Sequence, residues 1–253
     1  LKKLKRLDTQ WGRAYVIEGE DPKFLPSVTT ILSLIPSKRL KEIEESIGKD
    51  RLAEIGQKAA LKGTAMHKFL ENYVICMKNM GDSEKCLLYT QRRSTDELLN
   101  DIEKPLVDSG RALFYNLYHS GQFDKVKKIL LSEGFLYSET YLFAGTTDFA
   151  YLDNENKIVI VDFKSASGIR DDETIHKYSL QGGAYTLAFE EIHKRKVDRI
   201  EIWLSNPDGV QLVEIKGDEL ESCKKEFIYY CHKYHEIWES DKIKNYYNEQ
   251  IKK

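Results

Sequence analysis

Four β-branched residues in succession, Ile158, Val159, Ile160 and Val161, run directly into Asp162. A continuous apolar run of this kind reads as a strand buried within a sheet. A carboxylate at the end of such a strand is costly unless a cation or hydrogen-bond donors compensate its charge. Lys164, two residues on and therefore on the same face of the strand, is the first candidate for that compensation.

Around this strand the chain changes character. Before residue 134 its chemistry is mostly helical. A short strand at 15–17 precedes an apolar stretch at 28–35 with Ser27 as its N-cap. Residues 39–80 are rich in Lys, Glu, Ala, Leu and Ile, and Gly48, Gly56 and Gly63 predict successive helices there rather than one rod. The pattern then predicts a loop at 81–94, a helix from Ser94 or Thr95 to Tyr118 interrupted near Pro105 and Gly110, and a short helix at 123–131. From Gly134 onward aromatic and β-branched residues predict a meander of strands at 135–143, 146–152 and 157–164. A helix at 174–196 follows, then a hairpin at 197–204 and 210–215 around Asn206-Pro207-Asp208-Gly209. A long helix from Asp218 closes the chain, with Phe227, Tyr230, Tyr234, Ile237 and Trp238 as its core stripe. This order predicts an α/β fold with a mixed central sheet flanked by helices. Residues 1–133 are expected to form a helical, outward-facing part and 134–253 the sheet-bearing core, the two integrated as one domain.

The chemistry is concentrated between Gly145 and Tyr185. Asp148 and Asp162 stand on adjacent predicted strands, and two converging carboxylates make a hard oxygen site suited to Mg²⁺ or Mn²⁺. Lys164 beside them would orient a water or neutralise charge on a phosphate, which is phosphodiester hydrolysis chemistry. Acid-x-Lys alone is a weak signal, since Asp21-x-Lys23, Glu155-x-Lys157 and Glu214-x-Lys216 repeat it, but only Asp162 ends a buried strand. Gln181 and Tyr185 share one face of the following helix and would reach the same strand end. His67, on a predicted helix, and Glu139, upstream of Asp148, each read singly as ordinary structural or solvated residues.

Charge and cysteine usage narrow the setting. With 41% hydrophobic and 32% charged residues the chain has ample material for a core, which excludes disorder as its main state. Its longest apolar runs fall far short of the roughly 20 residues that span a bilayer, so no membrane partner is expected. The net charge of -2 hides an asymmetry: residues 1–100 carry 18 Lys and Arg against 14 acids, and residues 101–253 carry 21 against 27. A basic region beside an acidic one suits a nucleic-acid-facing part joined to a metal-holding part. Cys76, Cys86, Cys223 and Cys231 contain no C-x-x-C pair, so reduced, partly buried thiols are expected rather than zinc or an iron-sulfur cluster. The expected location is intracellular, in bacterial or phage-infected cytoplasm; the start at Leu1 rather than Met leaves room for a removed organellar targeting segment.

In order, His67, Glu139, Gly145 with Asp148, Asp162 with Lys164, and Gln181 with Tyr185 resemble the motif series of the PD-(D/E)xK nucleases, specifically the RecB-like branch. The segments Leu-Pro-Ser-Val-Thr-Thr-Ile-Leu at 25–32, Gly-Thr-Ala-Met-His at 63–67 and Asp-Phe-Lys-Ser at 162–165 are similar to those of the mitochondrial genome maintenance exonuclease family and its phage and bacterial relatives. The resemblance implies a restriction-endonuclease-like core with an N-terminal helical arch. It implies that Asp148, Asp162 and the Phe163 carbonyl hold Mg²⁺ or Mn²⁺, with His67 completing the shell and Glu139 positioning the attacking water or a second ion. Lys164 would activate or orient that water, and Gln181 and Tyr185 would fix the site and the scissile phosphate.

The same resemblance implies phosphate contacts from Ser27, Thr29, Thr30 and Ser165, and from arch cations among Lys38, Arg39, Lys58, Lys62, Lys68, Arg92, Arg93 and Arg111. No iron-sulfur cluster is expected, because Cys223 and Cys231 offer only two of the thiols one needs. The expected activity is that of a metal-dependent exonuclease on single-stranded DNA with a free end, in replication, repair or recombination, with a recombination or single-strand-binding protein as partner. Its rivals are a phage-type recombination exonuclease resecting duplex ends and a catalytically silent nucleic-acid-binding module.

Overall fold

The computed structural model describes residues 3–19, 22–238 and 240–250, so Asp21 of the first acid-x-Lys copy lies outside the described residues. An N-terminal antiparallel sheet of β1 (Leu4–Thr9), β2 (Gly12–Ile17) and β3 (Lys23–Pro26) leads into the one-turn helix α1 (Val28–Leu32), capped by Ser27. Four helices follow: α2 (Lys38–Ile47), α3 (Lys49–Met80), α4 (Ser83–Leu98) and α5 (Lys104–His119). A turn of 3₁₀ helix (Gln122–Lys125) then opens the main sheet of β4 (Val126–Ser138), β5 (Phe143–Asp153) and β6 (Ile158–Ser165). Helix α6 (Asp172–His193) crosses over to β7 (Arg199–Asn206), which pairs with β8 (Gly209–Lys216), and α7 (Gly217–His235) and α8 (Ser240–Gln250) end the described chain.

The five strands lie in chain order, β4 to β8, every pair antiparallel except β6 and β7, which run parallel because α6 carries the chain back between them. Alternation along β6 divides the core. Ile158 and Ile160 pack with Leu180, Ala184 and Ile200 beneath α6, whereas Val159, Val161 and Phe163 pack with Phe69, Phe114 and Trp203 beneath α3 and α5. Each fully buried side chain of this size stabilises the fold by roughly 1.5–3 kcal/mol. The second cluster spans Ala65 to Trp203, so the helical part and the strands share one core. Asp162 and Lys164, in phase with Ile158 and Ile160, belong to the α6 side.

Several expectations fail locally. Residues 39–80 are not broken at Gly56 or Gly63, because α3 continues through both. Gly110 does not interrupt α5 either. A Cβ there would meet Ala65 Cβ at 2.5 Å, so the glycine lets α3 and α5 cross closely. The predicted loop at 81–94 is mostly α4, whose N-cap Asp82 accepts from Lys85 N–H immediately after α3 ends. Of the predicted helix at 123–131 only 123–125 are helical, within one 3₁₀ turn, and 126–131 are the start of β4. Ile237, expected in the C-terminal core stripe, lies beyond α7 and is 62% exposed. Cys76 and Cys86 are not free thiols but a disulfide, made possible because the α3–α4 reversal brings their Cα atoms to 5.4 Å; Cys223 and Cys231 are free and buried.

Half of α3 stands clear of the body. Residues Ala65, Met66, Phe69, Leu70 and Tyr73 are buried, but positions 53–60 are exposed throughout, and α2 buries nothing. Arg39 at the start of α2 pairs with Asp171, the N-cap of α6, at 2.8 Å.

Candidate active site

The site forms where the sheet opens between β5 and β6. Their pairing runs from Leu152 opposite Ile158 to Phe149 opposite Val161, and the next position would set Asp148 opposite Asp162. There the ladder gives way to a side chain: Asp148 Oδ2 accepts the Phe163 N–H at 2.7 Å. The N–H and C=O of one residue leave an extended strand on the same side, so the Phe163 carbonyl also faces the opened edge.

On the other side of β5, Ser132 pairs with Phe149 and Gly134 with Thr147. Glu133 between them therefore falls opposite Asp148, with a positive φ of 47° that few non-glycine residues adopt. His67 arrives from α3 and places Nδ1 3.5 Å from Asp148 Oδ1, its ring edge-on to Phe163 at 6.2 Å. One ligand atom each from His67, Glu133 and Asp148 lie within 4.8 Å of one another.

Asp162 is 1% exposed. Lys164 Nζ lies 2.6 Å from its Oδ2, yet that oxygen has no aligned hydrogen-bond partner, so the contact is an ion pair without a well-directed N–H. The ammonium instead donates to Gln181 Oε1 at 3.0 Å, and Gln181 Nε2 donates to Tyr185 Oη at 3.0 Å. The Tyr178 ring flanks the same ammonium at 4.8 Å. Gly145 supplies space for this chain of contacts, since a Cβ on it would meet Tyr185 Cε1 at 2.7 Å. Gly63 marks where α3 passes the end of β6, with Ser165 Oγ 3.0 Å from the position of its missing Cβ.

The electrostatics are those of crowded, poorly solvated carboxylates. Burial, reinforced by Asp148 and Glu71, pushes Glu133 up to about 8. Burial likewise pushes Asp162 up to about 6, with Lys164 pulling down and Asp148 pushing up. Burial disfavours the Lys164 ammonium, but Asp162 and Asp148 outweigh it and hold the pKa above the ordinary lysine value. Tyr185 is raised well above its ordinary value by burial and the same two aspartates.

A divalent cation fits these residues. His67, Glu133 and Asp148 offer converging ligand atoms, and the buried Asp162 Oδ2 beside them, without an aligned donor, is the kind of atom a cation would satisfy.

Glu139, expected here, is elsewhere. It follows the end of β4, some 20 Å along the strand direction from Glu133 at about 3.3 Å per residue, and pairs with Lys23 at 2.9 Å. Glu133, which sequence reasoning missed, occupies the position opposite Asp148 instead. The signal that would have found it is the earlier start of β4, which sets the register.

The expected phosphate contacts fare unevenly. The Ser27 hydroxyl bonds those of Thr29 and Thr30 at 2.9 and 2.8 Å, and Thr30 donates to Arg13 O. Lys68 is held between Glu71 and Glu97, and Arg93 between Glu97 and Tyr89. Lys58 pairs with Glu54, and Arg111 with Asp108. Among the described residues Lys38, Lys62 and Arg92 have no carboxylate partner. A cleft of about 610 Å³ beside His67 and Glu133 is lined by Gly63, Thr64 and Lys68 on α3 and by Glu97 and Asp101 across from them.

A family model described as the PD-(D/E)XK nuclease superfamily matches residues 40–250. No curated protein sequence matches the chain. Among solved structures, a presumptive exonuclease from Eubacterium rectale is 9% identical with a TM-score of 0.42, over 66% of this chain and 64% of that one. The chain thus spans slightly under two thirds of that protein's length. A second, SSO0001, is 14% identical with a TM-score of 0.32, over 70% of this chain and 75% of that one. Likenesses this slight carry no functional assignment.

Proposed function

The chain belongs to the PD-(D/E)XK nuclease superfamily, and from that premise we propose that it is a RecB-like, metal-dependent DNA exonuclease acting on single strands with a free end. The observation that carries the reading is the convergence of His67, Glu133, Asp148 and the buried Asp162 on one opened strand edge beside Lys164.

A divalent cation held by Asp148, Asp162, Glu133, His67 and the Phe163 carbonyl would supply Lewis-acid stabilisation of negative charge on the scissile phosphate. The protein's own part is positional. In the metal-free protein the two aspartates favour the Lys164 ammonium, and from there it would activate or orient the attacking water and donate to a phosphate oxygen. Gln181 accepts one of its N–H groups and fixes its direction, and Tyr185 in turn fixes Gln181. Ser165, where β6 ends beside α3, is placed to donate to an adjacent phosphate. Lys62 and Arg92, without carboxylate partners among the described residues, are the arch cations best free to meet the backbone; Lys68 and Arg93 are occupied by Glu97. The projecting α2 and first half of α3, joined to α6 through Arg39 and Asp171, support an arch over the approach to the site. Intact Asp148, Asp162 and Lys164 count against a silent binding module.

The test is digestion of end-labelled linear single strands, closed circular single strands and blunt duplex with Mg²⁺ or Mn²⁺. The proposal requires degradation of the linear strand, sparing of the circle, and slower attack on duplex. Cleavage of the circle, or preference for duplex ends, would overturn it.

A further inference from the structure

On the face of β5 opposite the carboxylates lies a cavity of about 510 Å³ between the C-terminal end of α3 and the start of β4. Its walls are apolar, aliphatic (Met77, Val126 and Ile129) as well as aromatic, and of the rings only Phe123 is partly open, with Tyr73 and Phe149 fully buried behind it. Tyr73 and Phe123 meet at 4.9 Å between ring centres, and Phe123 and Phe149 at 6.4 Å. Lys78, Lys127 and Lys128 supply the cations of a lining that includes no carboxylate. Among the described residues Lys78 and Lys128 have no acidic partner, and Lys127 donates to the neutral Asn156 Oδ1 at 2.7 Å.

The lysines are presented by an irregularity in the strand. Register shifts fall between Val126 and Lys128 and between Ile129 and Leu131, and the consecutive residues Lys127 and Lys128 are both exposed where regular alternation would bury one. The contrast with the catalytic cleft is one of charge: that cleft is lined by Glu71, Glu97, Asp101 and Glu133. An apolar-walled cavity of this size, with one partly open ring and a cationic rim, suits a small molecule with a flat, largely apolar body and an anionic end. Inorganic phosphate alone would leave the apolar walls unused.

We propose that this cavity is a second, non-catalytic site for a nucleoside monophosphate, its base against Phe123 and its phosphate among Lys78, Lys127 and Lys128. The choice of nucleotide rests on the nuclease reading, since such a molecule is the end product of exonucleolytic digestion. Tyr73 shares α3 with His67, and Phe149 follows Asp148 on β5, so occupancy bears on both elements that build the catalytic site.

The test is equilibrium dialysis of labelled dGMP against the full-length Lys164→Ala protein in EDTA, where no turnover occurs. Saturable binding at one site per chain is expected, with guanosine and inorganic phosphate each at least about tenfold weaker, or ~1.4 kcal/mol. The Lys127→Glu/Lys128→Glu double variant and, independently, Lys78→Glu should each weaken binding at least about tenfold; these side chains are exposed, so the fold is retained. Absence of saturable binding would overturn the proposal. So would binding that survives both sets of changes but is lost in His67→Ala, which would put the nucleotide in the catalytic cleft. Because the measurement uses a cleavage-dead protein, binding without any wild-type nuclease activity would retire the nuclease reading and leave the site standing.

Discussion

A Cβ on Gly145 would lie 2.7 Å from Cε1 of Tyr185 and 3.2 Å from Val28 Cγ2, so the strand that carries Asp148 and the helix that carries Gln181 meet at a point with no room for a methyl group. Gly145→Ala is expected to push the Tyr185 ring away and break its bond from Gln181, the contact that orients Lys164. Overpacking of this kind costs about 1–3 kcal/mol, and cleavage should fall further than stability alone explains. Thermal unfolding measured alongside single-turnover cleavage separates the two effects.

Lys164→Ala removes the only ammonium beside Asp162 among the described contacts. Cleavage should drop by roughly 10²–10³-fold or more, the range for losing one preorganised donor to transition-state charge. Far-ultraviolet circular dichroism should remain that of a folded protein. Cleavage at the wild-type rate would remove Lys164 from the mechanism.

The two glutamates make a direct contrast. Glu133→Gln should weaken metal binding and slow cleavage by about 10–100-fold, the scale for disturbing a metal site's supporting residues. Glu139→Gln, whose partner is Lys23, should cleave at nearly the wild-type rate. Calorimetric metal titration of both variants decides it; the reverse ranking would return Glu139 to the site.

In the metal-free protein the raised pKa of Glu133 has a defined sign. Folding favours its protonated form, so the associated stability is fully present below the ordinary value of 4.5 and is lost as pH rises toward about 8. The melting temperature of the protein in EDTA should therefore fall across that window, and Glu133→Gln should flatten the slope. Added Mg²⁺ or Mn²⁺ should restore more stability at pH 8 than at pH 6, because binding requires the carboxylate form. A slope unchanged in Glu133→Gln would contradict this origin.

Reduction of the Cys76–Cys86 disulfide, or replacement of both residues by serine, should cost about 2–3 kcal/mol on the chain-entropy account of a short closed loop. Chemical denaturation with and without reductant measures it. Cleavage by the native, reduced protein should change little, since the bridge joins α3 to α4 well beyond His67.

Much of the sheet was legible because its strands announce themselves. The run from Ile158 to Val161 could pack only as an interior strand, and Asn206 to Gly209 could only turn, so β6, β7 and β8 lie where the pattern puts them. The approach of Asp148 to Asp162 follows from pairing two such strands. Glu133 was not legible, because choosing it over Glu139 requires the register of β4, and that strand begins with Lys127 and Lys128, whose irregular pairing conceals any alternation. The ion pairs that occupy Lys68 and Arg93 were hidden for a related reason: α4 starts on the heels of α3 and reads as loop as far as residue 94, so Glu97 is assigned to a later helix and not to the one packed on α3. A disulfide between helices depends on that same reversal.

The shared core has a consequence for the order of synthesis. The apolar stripe of α3, Met66, Phe69, Leu70 and Tyr73, is made well before Phe149, Val161 and Phe163, the strand residues that cover it. With roughly 80 residues between them and elongation at about 5–20 residues per second, the stripe waits for several seconds. A nascent chain halted between α5 and β5 has α3 packed only against α4 and α5, with the side that meets Phe149, Val161 and Phe163 still uncovered. His67 therefore leaves the ribosome on a helix whose sheet-facing side is still uncovered, and translation through β4 is a stage at which that side is open to misassembly.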